Sequence, residues 1–235
     1  MLRGRVLGIA LTLIMLIAGF GCVQIAEEND EIAGYIAIWL ADEGSGDVLL
    51  DSSGNDNHGS VANTEWEEGK NGYALRITEA SIVSIPYSDD FAAMAEEFTI
   101  EAWVHMFSYK PWDRIFEAGA INLRVEESGK LATQVHVNGN SMISTSKDVI
   151  PLNTWTHVAV TYSKKEAEPA VRLYINGVEV SEYDSLAKPA AIDPIAPGTT
   201  MFIGRSALSG NNRYIDGLVD EVKISSVVRD YLERR

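Results

Sequence analysis

Carboxylates are numerous in this sequence, but none form the pair that sugar hydrolysis needs. A retaining glycoside hydrolase holds two carboxyl groups about 5–5.5 Å apart, a spacing that alternate positions of one strand achieve. The segment Phe98–Phe107 contains only Glu101, Val171–Ile175 contains no carboxylate, and Glu179 and Glu182 fall on opposite faces. Gly-x-Ser-x-Gly and His-Glu-x-x-His motifs are absent from the sequence. We therefore expect no catalytic residues, and an unusual glycoside hydrolase is the third-ranked alternative.

The histidines give no clear metal or catalytic pattern. The four residues are scattered, and none has metal-ligand spacing from another: His58, His105, His136 and His157. His157 lies in a Trp-Thr-His segment, where a hydrogen-bonded, half-buried side chain is the expected role and a catalytic base is the alternative.

Aromatic residues in or beside predicted loops are the candidates for ligand contact. A sugar site needs a ring for the apolar sugar face and polar groups for the hydroxyls. The segment Lys110–Arg114 combines rings with charges. We predict ligand binding by four residues: Trp112, Tyr109, Arg114 and Trp66. The alternative is that a loop tryptophan only covers the edge of the fold, and we expect the strand tryptophans Trp39, Trp103 and Trp155 to lie in the core.

The formal net charge of −15 makes nucleic acid an improbable partner, because an acidic surface repels phosphates. Acidity suits divalent cations, since calcium takes six to eight oxygen ligands. Two acidic loops, Asp42–Asp47 and Asp51–Asn57, stand near the start of the chain. If the first and last strands are neighbours, both loops approach Asp220. Alternatively, Asp51 caps a turn through its own side chain and Asp220 is solvated.

The N-terminus predicts export. Arg3 and Arg5 precede the uncharged segment Val6–Phe20, which is followed by small residues and Cys22. This pattern is typical of a secretory signal peptide over residues 1–21, and an uncleaved anchor is the alternative. Removing Arg3 and Arg5 changes the formal charge from −15 to −17.

Cys22 is the only cysteine in the sequence, so an internal disulfide is excluded. Its position directly after the signal peptide resembles the lipidated cysteine of bacterial lipoproteins, although Gly19 replaces the usual leucine. We predict lipidation at Cys22, or secretion as the alternative. Residues 22–33 form a polar tether, and a lipid would attach the protein to a membrane without a spanning helix.

Residues 34–228 predict one all-β domain, and residues 229–235 a C-terminal tail. Short apolar segments alternate with turn formers, as in an antiparallel sandwich. In Phe98–Phe107 one face carries Phe98, Ile100, Ala102, Val104 and Met106, and the other carries Thr99, Glu101, Trp103 and His105. Asn176-Gly177 predicts a hairpin turn between Val171–Ile175 and Val178–Val180.

Several ordered segments resemble the concanavalin A-like, laminin-G-like jelly-roll superfamily common in bacterial surface proteins. The matching segments are Trp39 with Glu43–Gly46, Asp51–Asn55, His58-Gly59, Gly69–Leu75, Phe98–Val104, Thr154–Val160, Arg172–Val178, Phe202–Arg205 and Ile215–Ile224. The resemblance implies an antiparallel two-sheet jelly-roll sandwich. It is not specific for function, because this fold carries lectins, adhesion modules and glycosidases.

The resemblance also implies a structural calcium ion held by loop carbonyls and an aspartate of the last strand. By this likeness Asp220 is the first candidate ligand, and Asp51 and Asp42 are the next. We therefore predict a non-catalytic surface or secreted module that binds glycans and contains calcium. A protein-adhesion or structural envelope module is the second possibility.

Overall fold

The computed structural model describes residues 33–165, 170–185, 190–206 and 213–229. The predicted signal peptide, Cys22 and most of the C-terminal tail lie outside these ranges. The chain divides into two compact units, Met1–Gly34 and Tyr35–Arg235, and the strands belong to the second. No helix among the described residues has the length and apolar character needed to cross a membrane.

The described chain is built from strands joined by short turns. The strands are β1 Tyr35–Trp39, β2 Val48–Leu49, β3 Gly59–Ala62, β4 Glu65–Glu68, β5 Tyr73–Ile77, β6 Ile82–Pro86, β7 Glu97–Ser108, β8 Asp113–Ala118, β9 Ile121–Val125, β10 Lys130–Val137, β11 Asn140–Val149, β12 Thr156–Ser163, β13 Val171–Ile175, β14 Val178–Glu179, β15 Ser181–Ser185, β16 Thr200–Ile203 and β17 Asp216–Ser225. A 3-10 helix, Asp89–Ala95, precedes β7.

These strands form the two antiparallel sheets that the sequence predicts. The first sheet has the order β14-β13-β12-β7-β17-β5-β4, with β1 also paired to β17, and the second has the order β15-β11-β10-β9-β8-β16-β6-β3-β2. Asn176 and Gly177 adopt φ values of +50° and +76°, which the predicted hairpin turn between β13 and β14 requires.

The pairing of β1 with β17 confirms that the first and last strands are neighbours. Trp39 lies opposite Val222 in this ladder. On its other side, β17 pairs with β7, and one extra residue enters between Asp220 and Lys223. Glu221, within this bulge, has a φ of +45°. A β-bulge of this kind bends its strand and redirects the local side chains.

One hydrophobic core lies between the sheets, and strand alternation determines its membership. Ile100 and Ala102 of β7 pack in it together with Leu123 and Val125 of β9. Trp39 is buried there as predicted, and its indole N–H donates to the carbonyl of Asn57 (2.8 Å).

The core prediction was wrong for two tryptophans. Trp103 and Trp155 are only half-buried. Trp103 alternates with the core residues Ala102 and Val104, so its ring stands on the outer face of the first sheet. Trp155 precedes β12 and makes an edge contact with His105, another residue of that outer face (5.4 Å between centroids).

Candidate functional site

The predicted ligand loop places an exposed ring beside a guanidinium. Trp112 is 44% exposed and has a φ of +67°, an uncommon conformation for a residue with a side chain. Arg114, at the start of β8, donates through Nη1 to the carbonyl of Trp112 (3.3 Å) and through Nε to Glu117 (2.7 Å). Two of the four predicted ligand residues, Trp112 and Arg114, are therefore in contact.

Two further arginines complete what we call the Trp112 cluster, which consists of Trp112, Arg114, Arg124 and Arg213. The guanidinium carbons of Arg124 and Arg213 lie 5.1 and 5.8 Å from the centroid of the Trp112 ring. Such contacts are attractive because the ring face is electron-rich.

The charges of the cluster are held in place from β8 and β9. Arg114 lies directly opposite Arg124 in that ladder, an arrangement of like charges that destabilises a sheet. Glu126 accepts from Nε of Arg124 (2.7 Å) and Asn122 accepts from Nη1 (2.9 Å). Both guanidiniums are thus fixed on the outward face of the second sheet, since Leu123 and Val125 point into the core.

The other two predicted ligand residues lie elsewhere. The Tyr109 hydroxyl donates to the carbonyl of Ile150, and its ring packs partly against the core. Trp66 belongs to β4 of the first sheet and donates to the carbonyl of Gly46 (3.4 Å). Both side chains are partly buried and pack against the core. Tyr214, which precedes β17, carries the ammonium of Lys110 over its ring at 3.8 Å.

Asp113 is a buried carboxylate at the end of the loop that carries Trp112. Its Oδ2 accepts from the N–H of Lys110 (2.8 Å), and its Oδ1 has no hydrogen-bond partner among the described residues. Burial raises the pKa of this carboxyl to about 7, and the nearby Asp216 adds to the rise.

Among the predicted calcium ligands, Asp220 has the environment that fits a cation. Its side chain is fully buried, and Oδ2 accepts from the N–H groups of Lys70 (2.8 Å) and Asn71 (3.3 Å). Its Oδ1 is buried without a partner in the described chain. Burial raises the pKa of Asp220 to about 6. An unpartnered buried carboxylate oxygen is costly unless it meets a cation or a proton.

Asp51 and Asp42 are occupied by hydrogen bonds from the backbone. Asp51 accepts from the N–H groups of Ile38 (2.8 Å), Ser53 (2.9 Å) and Asn57 (3.0 Å), so it caps its own turn, as the alternative interpretation held. Asp42 accepts from the N–H of Tyr73 (2.9 Å). In the described ranges, no three acidic, histidine or cysteine side chains gather as a metal site.

Glu43, which was not among the predicted calcium ligands, also has a buried carboxylate oxygen without a partner in the described chain. Its Oε1 accepts from the N–H of Leu50 (2.8 Å), while Oε2 is buried with no partner in the described residues. The Glu43-Gly-Ser-Gly46 motif contained the signal, but a motif does not show which carboxylate oxygens are satisfied.

A cavity of about 340 Å³, here named the outer-face cavity, opens on the solvent side of the first sheet. Its lining comes from β7, β12, β17 and the β13–β14 turn: Glu101, Trp103, His157, Asn176, Gly177, Glu221 and Lys223. His157 lies opposite Trp103, and Lys223 lies opposite Glu101, in the two ladders of β7. The alternation of Phe98–Phe107 placed Glu101 and Trp103 on one face, but the register that adds His157 and Lys223 could not be predicted from it.

Two carboxylates, those of Glu101 and Glu221, line the outer-face cavity. Glu101 accepts from the Tyr35 hydroxyl and from Nε2 of His157, each at 3.1 Å. Burial alone would raise the pKa of Glu221, but hydrogen bonds from Lys223 and Asn71 hold it below its usual value.

Comparisons with known proteins support the fold. A laminin-G family model, described as the concanavalin A-like lectin/glucanases superfamily, matches residues 78–232. No curated protein matches the chain.

Solved structures with the same fold include binding domains and one glycosidase. The binding domain of Paraclostridial Mosquitocidal Protein 1 has a TM-score of 0.67 and 16% identity over 86% of this chain. Domain 4 of the extracellular arabinanase AbnA from Geobacillus stearothermophilus, in complex with arabinotriose, has a TM-score of 0.54 and 20% identity, covering 81% of this chain and 91% of that domain. Trypanosoma rangeli sialidase has a TM-score of 0.61 and 14% identity over 85% of this chain and 32% of the enzyme. This chain spans about half of the mosquitocidal binding domain (51%).

Proposed function

Since this chain belongs to the concanavalin A-like lectin/glucanases superfamily, we propose that it is a non-catalytic binding module that recognises glycans through the Trp112 cluster. The observation that carries the proposal is the exposed ring of Trp112 with arginines beside it. An aromatic ring packs against the apolar face of a sugar, and the half-buried guanidinium of Arg213 can donate to its hydroxyls. Arg114 and Arg124 are buried, and they support the loop and ring of Trp112. The arabinanase domain supports the proposal at the level of the fold, because that domain was solved with a bound oligosaccharide.

Calcium is the proposed structural cofactor, with Asp220 as the first ligand. The buried and unpartnered Oδ1 of Asp220 supports it, and Glu43 is a further candidate for the same reason. Asp51 and Asp42 are weaker candidates, because backbone N–H groups already occupy them. When bound, the ion would supply positive charge between the early loops and the last strand, and loop carbonyls would complete its coordination.

Export with attachment through a lipid at Cys22 is the proposed localisation, and secretion is the alternative. The order of basic, apolar and small residues before Cys22 supports this proposal. A lipid anchor would place the binding module at a membrane surface.

A glycan array tests the proposed function. We expect the wild-type protein to bind at least one glycan, and we expect the variant Trp112→Ala to lose that binding. The matched control is Tyr73→Ala, which removes another exposed ring, one 48% exposed in the first sheet. Equal binding by all three proteins would refute the role of Trp112, and loss of binding in a calcium chelator would support the cofactor.

A protein partner is the second candidate function. Val48 and Leu50, at the β2 edge of the second sheet, are 44% and 48% exposed. The backbone groups of an edge strand can pair with an added strand from a partner, and exposed apolar side chains there can contact it. Retained partner binding with an empty glycan array would favour this candidate, and hydrolysis of a polysaccharide panel would favour a glycosidase instead.

A further inference from the structure

The outer-face cavity has the size and composition of a binding site, although it lies on the sheet opposite to the Trp112 cluster. We propose that it is a second ligand site, which takes an uncharged polyhydroxylated ring such as a neutral sugar unit. Its volume of about 340 Å³ is within the range of small-ligand sites, about 300–1,000 Å³. The outer face of a sheet can remain flat and solvated, so a lined cavity here requires a physical cause.

The cavity follows from the strand order and from two local backbone features. Its floor is formed by neighbouring strands, β12 with His157 and β7 with Glu101 and Trp103. The Asn176–Gly177 turn stands at one side and is joined to β12, because the N–H of His157 donates to Oδ1 of Asn176 (2.9 Å). The bulge of β17 contributes Glu221 from the other side.

The polar groups of the cavity are fixed before any ligand arrives. Glu101 is buried, and it is held by Tyr35 and His157. Glu221 accepts from Nζ of Lys223 (2.7 Å) and from the side chain of Asn71. Side chains held in one geometry lose little conformational entropy on binding, which favours affinity.

Backbone strain is concentrated at the same place. Glu221 has a φ of +45°, although it is not glycine. A residue with a side chain seldom adopts this conformation, and such residues cluster at ligand-binding sites. Here the strain brings a carboxylate to the wall of the cavity.

The lining determines the class of ligand. Glu101 and Glu221 can accept hydrogen bonds, Lys223 and Asn176 can donate them, and the Trp103 ring supplies an apolar wall. An anion would meet two carboxylates, and an apolar ligand would leave buried polar groups without water. Hydroxyl groups both donate and accept, so a neutral polyol ring can satisfy the whole set. Lys70, 4.7 Å from the centroid of the Trp103 ring, adds another donor beside this wall.

The test measures binding to the full-length protein in detergent micelles by calorimetry and by ¹H–¹⁵N NMR. The probes are the neutral trisaccharides arabinotriose, xylotriose and maltotriose, with glucuronic acid and glucosamine as charged counterparts. We expect one neutral trisaccharide to shift the signals of the Trp103 indole and of His157. We expect Lys223→Met and Trp103→Phe to weaken this binding about tenfold.

Two variants serve as controls. Lys130→Met removes a different ammonium–carboxylate pair, in the second sheet, and Trp112→Ala disables the Trp112 cluster; neither should change binding in the cavity. If Trp103→Phe does not fold, as judged by near-UV circular dichroism, Lys223→Met carries the test.

Each other outcome overturns the proposal in a distinguishable way. Binding that needs Trp112 but is unchanged in Lys223→Met would leave the proposed function intact and remove the second site. Shifts of Trp103 and His157 caused only by the charged sugars would refute the ligand class. If no saccharide shifts the signals of Trp103 and His157, the second site is refuted. If the glycan array also shows no binding, the proposed function of the Trp112 cluster is refuted as well.

Discussion

Burial of Asp113 should make the stability of this domain fall as the pH rises. The side chain is fully buried, and burial raises the pKa of its carboxyl from 3.8 to about 7. Asp216 opposes ionisation as well, whereas the backbone N–H and the charge of Lys110 favour it. The folded protein therefore holds this proton at a pH at which the unfolded chain has released it.

The sign and size of the effect follow from linkage. A group that binds its proton more tightly in the folded state contributes most stability below pH 3.8, and this contribution is lost as the pH rises to about 7. The folded and unfolded pKa values differ by about 3 pH units. Each unit of difference corresponds to about 1.4 kcal/mol, so the total loss in the free energy of unfolding is at most about 4 kcal/mol. Between pH 4.5 and 7.5 the loss is about 3 kcal/mol.

The variant Asp113→Asn isolates this contribution, because an amide keeps the acceptor for the Lys110 N–H but cannot ionise. We expect urea denaturation to show that Asp113→Asn gains about 3 kcal/mol relative to wild type between pH 4.5 and 7.5. The control Asp148→Asn, at an exposed position, should follow the wild type. Parallel pH dependence of wild type and Asp113→Asn would refute the reasoning.

Three further predictions concern the cation, the anchor and the contact of two strands. Saturating calcium should raise the melting temperature of the wild type but not of Asp220→Asn, because calcium at 100 times its Kd adds about 2.7 kcal/mol to the free energy of unfolding. Equal melting temperatures in chelator and in calcium would refute the site. Cys22→Ala should move the protein from the membrane fraction to the soluble fraction, and unchanged fractionation would count against lipidation. Gly217→Ala should destabilise the fold by about 1–3 kcal/mol in chemical denaturation, because the new Cβ would lie 2.3 Å from the carbonyl oxygen of His105. Unchanged stability would show that the two strands can separate at this point.

Strands with strict alternation could be predicted from the sequence, and polar strands could not. Phe98–Phe107 lies within β7 with the expected inward face. The strand Asn140–Val149 was not predicted, because serine, threonine and charged residues dominate it. Its apolar members, Met142, Ile143 and Val149, do not recur at alternate positions, so they give no periodic signal. Pairing with β10 stabilises this strand instead.

Residue types indicated which side chains could bind a ligand, but strand register decided which of them meet. Trp112 and Arg114 were found together because they are neighbours in the chain. Arg124 joins them only through the β8–β9 ladder, and His157 meets Trp103 only through the β7–β12 ladder. Register depends on the whole hydrophobic pattern of both strands, so a single-strand reading misses such partners.

The same alternation that builds the core also separates the two proposed sites. Ala102 and Leu123 point into the shared core, so their neighbours Trp103 and Arg124 point to opposite outer faces of the sandwich. A ligand bound at Trp103 therefore cannot also contact the Trp112 cluster without passing around the domain. Avidity on one short glycan requires both sites to be engaged at once, and this geometry forbids that. Two occupied sites would instead join two separate glycan chains, so one small domain could act as a cross-link.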